Sequence, residues 1–438
     1  MRKRHFVMGA ALLALPLAGC GALKGNGGPK TPTVGQRVSI LSNDNSIKVD
    51  PAIEAVAVVL PEPAVNANWA QSGGNASKSM GHPALAATRT KLWEAQVAGS
   101  TKKQRLASSP GIADNRLFVV DTDAVVTAYA ADTGTKLWSV SIGSTAKDYR
   151  DSLFGGGAGV DGDVVYATSG SGDVAALNVA DGNVLWKAKP AGPLRGAPTI
   201  AFGGVYVISQ DNQIFALNQA TGAVQWQATA PLEPGGGFGA ASPAAGQGTI
   251  VAGYSSGEVQ AYRYENGRDL WEDALARTSM ALSVSTLSDV DADPVIDRGR
   301  VFALGQGGRM ASYELVTGQR TWEISIAGIS TPYVVGEWVY AMTDDGKLLC
   351  VARGSGKVRW IQQLARYRVE TDKKKKDPIR WTGPVLAGGR LIAVNSEGPL
   401  VEFSPTDGRT LATMEFKSAL SQPPVVANNT LYILADDG

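Results

Sequence analysis

The chain has 438 residues, enough for one large core or two domains. Lys and Arg number 41 and Asp and Glu 40, so nothing implies the basic surface that a nucleic acid demands. Two cysteines and two histidines nearly exclude a His-rich metal site, a Ser-His-Asp triad and a haem attachment.

The first element reads as a secretory leader. Arg2, Lys3, Arg4 and His5 precede an apolar run from Phe6 to Leu15 that is too short to cross a bilayer as a helix. It ends in Leu17-Ala18-Gly19-Cys20, which resembles the lipobox of bacterial lipoproteins. That resemblance implies a signal peptide over residues 1–19 and acylation of Cys20. Each buried methylene adds ~0.8 kcal/mol, so several acyl chains make a firm anchor. Gly21, where Asp would favour retention, implies by the same resemblance the periplasmic face of the outer membrane. Without the leader, 38 basic residues face 40 acidic ones, and His82 is the sole histidine. With Cys20 acylated, Cys350 has no disulfide partner. Cys350 lies in the alternating run LLCVA and reads as a buried core thiol.

Residues 20–65 form the next zone. GALKGNGGPKTPTVG reads as a flexible tether. IKVDPAIEAVAVVLPEPAV is more apolar and reads either as a short ordered arm or as a docking strap.

Residues 66–438 are repetitive. DTGTKLW (132–138), ADGNVLW (180–186), ATGAVQW (220–226), ENGRDLW (265–271), VTGQRTW (316–322) and GSGKVRW (354–360) each place Gly four residues before Trp. TDGRTLA (406–412) keeps the Gly and puts Ala412 at the Trp position. Periods near 40–50 residues mean a propeller or similar array. Within a repeat, branched and aromatic residues alternate with polar ones between DTG-type turns, so the class is all-β. The turn Gly suits a left-handed conformation, and the Trp fills the wedge between sheets.

Eight first strands, eight second strands and seven third strands can be counted. TKLWEAQV (90–97) matches TKLWSVSI (135–142) and supplies an eighth Trp-type strand. The expectation is an eight-bladed β-propeller in which this N-terminal strand completes the last blade and removes the free edges. LYILADDG at the end matches the approach to a third strand, so the last blade is expected to lack roughly ten residues, a strand and its turn.

The Thr-Gly-x-x-x-Trp repeat resembles the tryptophan-docking motif of quinoprotein propellers, in which two families of different class share one fold. The pyrroloquinoline-quinone alcohol dehydrogenases bind quinone and calcium in the central channel, with a catalytic Asp, and many carry a disulfide of adjacent cysteines. This sequence has no adjacent cysteine pair. Its most calcium-like stretch, DVDADPVIDRGR (289–300), has Pro294 for the turn Gly and Arg300 for the bidentate Glu. GGGFG and FGGGAG lack the Lys-Ser/Thr ending of a phosphate loop and read as tight turns.

The other family is BamB, the scaffold lipoproteins of the outer-membrane β-barrel assembly machine. SDVDADPVIDRGRVFAL (288–304) and LRGAPTIAFGG (194–204) closely resemble the corresponding family segments. The resemblance implies a scaffold with no catalysis, cofactor or metal. It implies that Leu194, Arg195, Asp289 and Asp291 contribute to binding the periplasmic domains of the barrel-forming partner BamA, with nascent outer-membrane proteins as a further partner. Gly192, two residues before Leu194, departs from the family pattern and leaves that apolar contact open. Both segments lie between a Trp strand and the next first strand, so they emerge on one face of a propeller.

A third connection on that face, RYRVETDKKKKDPIRW (366–381), looks enlarged and basic relative to the family. It reads either as a solvated insertion or as a contact for an acidic partner or anionic headgroups. The alternatives to a scaffold are a quinone-dependent periplasmic dehydrogenase and a periplasmic sensor or ligand-binding propeller.

Overall fold

Apolar–polar alternation cut by glycine turns produces short antiparallel strands, stacked four to a sheet. The computed structural model describes residues 47–143, 156–231, 241–275, 289–371 and 374–438. The expected signal peptide, Cys20 and residues 21–46 lie outside these, as does the GGGFG turn. The first sheet runs in chain order through β1 (Gly111–Ala113), β2 (Arg116–Val120), β3 (Val125–Ala130) and β4 (Lys136–Ser141). Six more sheets with the same order span 158–188, 199–229, 244–274, 295–324, 333–363 and 381–414. The hairpin β25 (Tyr367–Thr371) and β26 (Lys374–Pro378) projects between the sixth and seventh sheets. β31 (Val425–Ala427) and β32 (Thr430–Tyr432) form a two-stranded sheet after the seventh. From the first of the seven four-stranded sheets to the last, each first strand touches the first strand of the sheet that follows, which wraps the sheets around an axis as a β-propeller.

One contact repeats between sheets. Trp138 packs on Gly182 of the next sheet, and its indole N–H donates to the Val179 carbonyl at 2.9 Å. The same pairing joins Trp186 to Gly222 and the Gln219 carbonyl, and Trp226 to Gly267 and the Tyr264 carbonyl. It recurs at Trp271–Gly318, Trp322–Gly356 and Trp360–Gly408. Each indole meets a left-handed turn glycine that has no Cβ, so its ring lies flat on the neighbouring backbone. The residue registered opposite each docking Trp is small: Ala128, Ala176, Ala216, Ala261, Ser312 and Cys350. Cys350 is thus a fully buried packing residue, and burial pushes its thiol well up.

The seventh sheet departs from this scheme. Ala412 replaces the Trp, and the residue opposite it is Glu402, which is buried. Arg89 pairs with Glu402 at 2.5 Å, and Arg390 stands at 3.6 Å. Where other sheets set a small residue opposite an indole, this one sets a carboxylate opposite Ala412 and pairs it with an arginine from the N-terminal segment. The expected strand at 90–97 is extended but lies in no ladder. Its tryptophan still docks. Trp93 packs on Gly134, donates to the Ala131 carbonyl at 2.9 Å, and sits 6.0 Å from the Tyr432 ring. A ladder needs an adjacent backbone, and no strand among the described residues lies between β32 and 90–97.

The meander sets two faces. Connections into first strands and the second-to-third turns emerge on one, here called the connection face. First-to-second turns and the Gly-Trp turns emerge on the other. Residues 47–65 are a strap on that other face. Asp50 N–H donates to Val358 and its carboxylate pairs with Lys357 at 3.2 Å, while Arg359 donates to Val56. Residues 66–85 then enter the axis. Trp69 exchanges backbone hydrogen bonds with Ile112, Val160 N–H donates to Ala70, Ala245 N–H to Ala76 and Ile296 N–H to Ser77. The ring is thereby plugged by its own chain from the strap side. His82 takes part in this, with Nδ1 on the Pro61 carbonyl at 2.6 Å and Nε2 accepting from Gly389 N–H at 2.8 Å.

The docking geometry separates two glycines that share a left-handed backbone. A Cβ on Gly222 would meet the Trp186 ring at 2.5 Å, whereas one on Gly162 would meet nothing within 4 Å. Gly162→Ala should cost about 1 kcal/mol from backbone strain. Gly222→Ala should cost roughly 1–3 kcal/mol more from overpacking. Denaturant unfolding of both variants tests this, and equal losses would refute the dock.

Candidate functional site

The connection face carries a cavity of about 620 Å³. Its floor is the axial plug at Trp69, Gly73 and Lys78, and Asp291 and Asp293 line one wall. Beside it lie the residues expected from sequence. Leu194 and Arg195 sit on the connection ahead of β9 (Thr199–Ala201). That connection is stitched to the third sheet, because Arg195 N–H donates to Ile208 and Gln210 N–H to Pro193. Asp289 and Asp291 sit on the connection ahead of β17 (Val295–Asp297), where Val290 N–H donates to Tyr254 and Gln306 N–H to Asp289.

The structure brings the two segments together across the intervening sheet. Arg195 donates to the Gly253 carbonyl at 3.2 Å and to Asp291 Oδ1 at 2.9 Å, and its Nη2 lies 3.6 Å from Asp289 Oδ1. The Arg195 side chain is 1% exposed, that of Asp289 0% and that of Asp291 18%. Leu194 is buried in the apolar cluster with Tyr166 and Phe215. Arg195 is therefore a latch binding the third, fourth and fifth sheets, and only Asp291 keeps an open edge toward the cavity. Burial raises the Asp291 carboxyl, against the opposing pull of Arg195. One side chain reaching two carboxylates and a carbonyl uses the planar fork that only Arg offers.

Sequence reading missed the second charged group. Lys78 is fully buried, donates to Thr199 Oγ1 at 3.1 Å and lies 4.0 Å from Asp293. Asp293 also accepts from Ser72 Oγ and Ser242 N–H, each at 2.7 Å. Burial pushes the Lys78 ammonium down to about 8, against the attraction of Asp293. The signal in sequence was faint: a Gly73-Gly74 pair and a Trp69 that has no Gly four residues before it.

The residues do not fit a quinone–calcium centre. Along D-x-D-x-D, Asp289 and Asp291 turn to Arg195 and Asp293 to the plug. Among the described residues, no three His, Cys, Asp or Glu side chains are placed to hold a metal ion. The plug occupies the axis at the level of the inner strands.

Two predictions follow from the charges. Arg195→Met leaves two buried carboxylates without their guanidinium and should cost about 3–5 kcal/mol of unfolding free energy in denaturant titration. Lys78 is harder to protonate in the folded chain than at its ordinary value near 10.5. Between about pH 8 and 10.5 the unfolded chain therefore binds more protons, and stability from this group rises with pH. Native protein should gain up to about 3 kcal/mol relative to Lys78→Met across that window. A flat difference would refute the buried ammonium.

The sequence model of the family described as "Outer membrane protein assembly factor BamB" matches residues 83–151 and 122–362. The proteins of that name from Shigella dysenteriae serotype 1 and Escherichia coli K12 are each 32% identical over 354 residues, 80% of this chain and 88% of theirs. The Yersinia pestis protein is 26% identical over 353 residues, 80% of this chain and 87% of its own. Among solved structures, BamB from Moraxella catarrhalis superimposes with a TM-score of 0.62 at 20% identity, over 78% of this chain and 95% of that one. A europium-containing methanol dehydrogenase gives 0.65 at 14% identity, over 85% and 88%. At those identities the likeness shows the fold alone, and it is shared by an enzyme. The sequence match decides between the two classes: the chain belongs to the BamB family of outer membrane protein assembly factors.

Proposed function

We propose that this protein is a non-catalytic scaffold in the assembly of outer-membrane β-barrel proteins. It is tethered by acylated Cys20 to the periplasmic face of the outer membrane. Its connection face binds the periplasmic domains of a barrel-forming assembly protein of the BamA type. The ring has eight blades, the last built from β31, β32 and the docked segment 90–97. The observation that carries this reading is that the family match over 122–362 contains both halves of the Arg195 latch.

The latch gives the expected partner-binding residues distinct roles. Leu194, Arg195 and Asp289 are buried and hold two connections in one shape. Asp291 presents an open carboxylate edge at the cavity rim, where a partner's Lys or Arg can pair with it. Loss of Arg195 then acts on binding through the shape of the surface. Loss of the Asp291 charge acts directly on the partner, and the fold is spared where the Oδ1 acceptor for Arg195 is kept.

The test is recovery of partners from gently solubilised outer membranes, read by mass spectrometry. The native lipidated protein should recover a barrel-assembly protein. Asp291→Asn, which removes the charge but keeps the Oδ1 acceptor for Arg195, should lower recovery about tenfold, with only a small drop in the melting temperature. Cys20→Ser should move the protein out of the membrane fraction. If the native protein recovers no barrel-assembly protein, the scaffold reading fails.

A further inference from the structure

The hairpin β25–β26 stands on the connection face, next to the cavity rim at Arg380 and Thr382. Residues 366–380 hold seven basic and three acidic side chains. Every described residue of the two strands except Tyr367 is exposed, so neither strand is part of the core. The register pairs Val369 with Lys376, Glu370 with Lys375 and Thr371 with Lys374. Side chains opposite one another in an antiparallel pair share a face, and the faces alternate along each strand.

The two faces of the hairpin are therefore unlike. One carries Arg368, Glu370, Lys375 and Asp377. There the charges cancel, since Glu370 stands opposite Lys375, and Arg368 pairs with Asp377 at 2.8 Å and with Glu397 at 3.8 Å. The other carries Tyr367, Val369, Thr371, Lys374, Lys376 and Pro378, with no acid among its described residues. Tyr367 anchors the base, its ring 5.7 Å from the Arg366 guanidinium and 6.0 Å from the Lys375 ammonium. What remains outward is an apolar strip bounded by Lys374 and Lys376.

We propose that this positive face of the hairpin docks an acidic polypeptide segment of the assembly partner. The inference rests on the reading of the connection face as the partner-binding face. Charge complementarity selects an acidic occupant. Position selects a polypeptide over a lipid surface: the N-terminal strap joins the body on the opposite face, at Asp50 and Val358, so the face bearing the hairpin is the one clear of the tether's point of entry. A hairpin of this kind acts chiefly on the rate of encounter, because rim charges steer association and are screened by salt.

The test uses the full-length protein and a fluorescein-labelled peptide of about twenty glutamates, followed by anisotropy at ~0.05 and ~0.5 M salt. The native chain should bind at low salt and lose binding at high salt. K374E/K376E should weaken binding at least about tenfold, whereas R368Q, whose charge is already paired with Asp377 and Glu397, should stay within about twofold. Equal binding by native and K374E/K376E proteins overturns the proposal. So does absence of peptide binding combined with K374- and K376-dependent binding to vesicles of phosphatidylglycerol, which would assign the face to a membrane. In the membrane pull-down, K374E/K376E should slow partner capture at low salt while Asp291→Asn lowers recovery about tenfold. Failure of the native chain to capture any barrel-assembly protein would instead sink the scaffold reading, whatever the peptide does.

Discussion

The ring depends on a tryptophan laid on a glycine. Each docking indole buries a large flat surface and spends its one N–H on a carbonyl three residues before the turn Gly of the next sheet. Neither partner works alone. A Cβ on the glycine would lie inside the ring, and a smaller residue than Trp would leave a gap between diverging sheets. Because the dock joins neighbours only, the propeller is a chain of similar interfaces, and its geometry is set by repetition.

The seventh sheet shows what happens where the rule is broken. With Ala412 in place of the indole, the residue opposite it is the buried Glu402, and an arginine from the N-terminal segment pairs with it. A buried carboxylate is tolerated only with such a partner. The same logic governs the connection face. Arg195 gathers two carboxylates from a connection two sheets away, and Lys78 brings a cation to Asp293 from the axial plug. Charges are buried in this protein where separate pieces of chain must be held in register.

These arrangements divide the molecule by task. The strap lies on one face, and the plug fills the axis with the chain's own backbone. The other face is left with a cavity walled in part by carboxylates, Asp291 among them, and a charged hairpin.

Much of this was legible in one dimension. The Gly-x-x-x-Trp spacing announced sheets, turns and inter-sheet packing, because turn conformation and strand alternation are local. Cys350 could be read as core for the same reason. The pairing of Leu194–Arg195 with Asp289 and Asp291 on one face followed from counting connections. What could not be read was burial. Nothing in LRGAP or DVDAD says that the arginine turns inward onto the two aspartates, since that depends on how far apart sheets three and five stand around the axis. Nor could the sequence reveal the plug, because residues 66–85 take their conformation from hydrogen bonds to chain as distant as Val426, 360 residues from Asn66. Local rules of turn and strand were thus determined by the sequence itself. The buried charges and the closed axis were decided only by tertiary structure, because desolvation and long-range pairing exist only once the ring has formed.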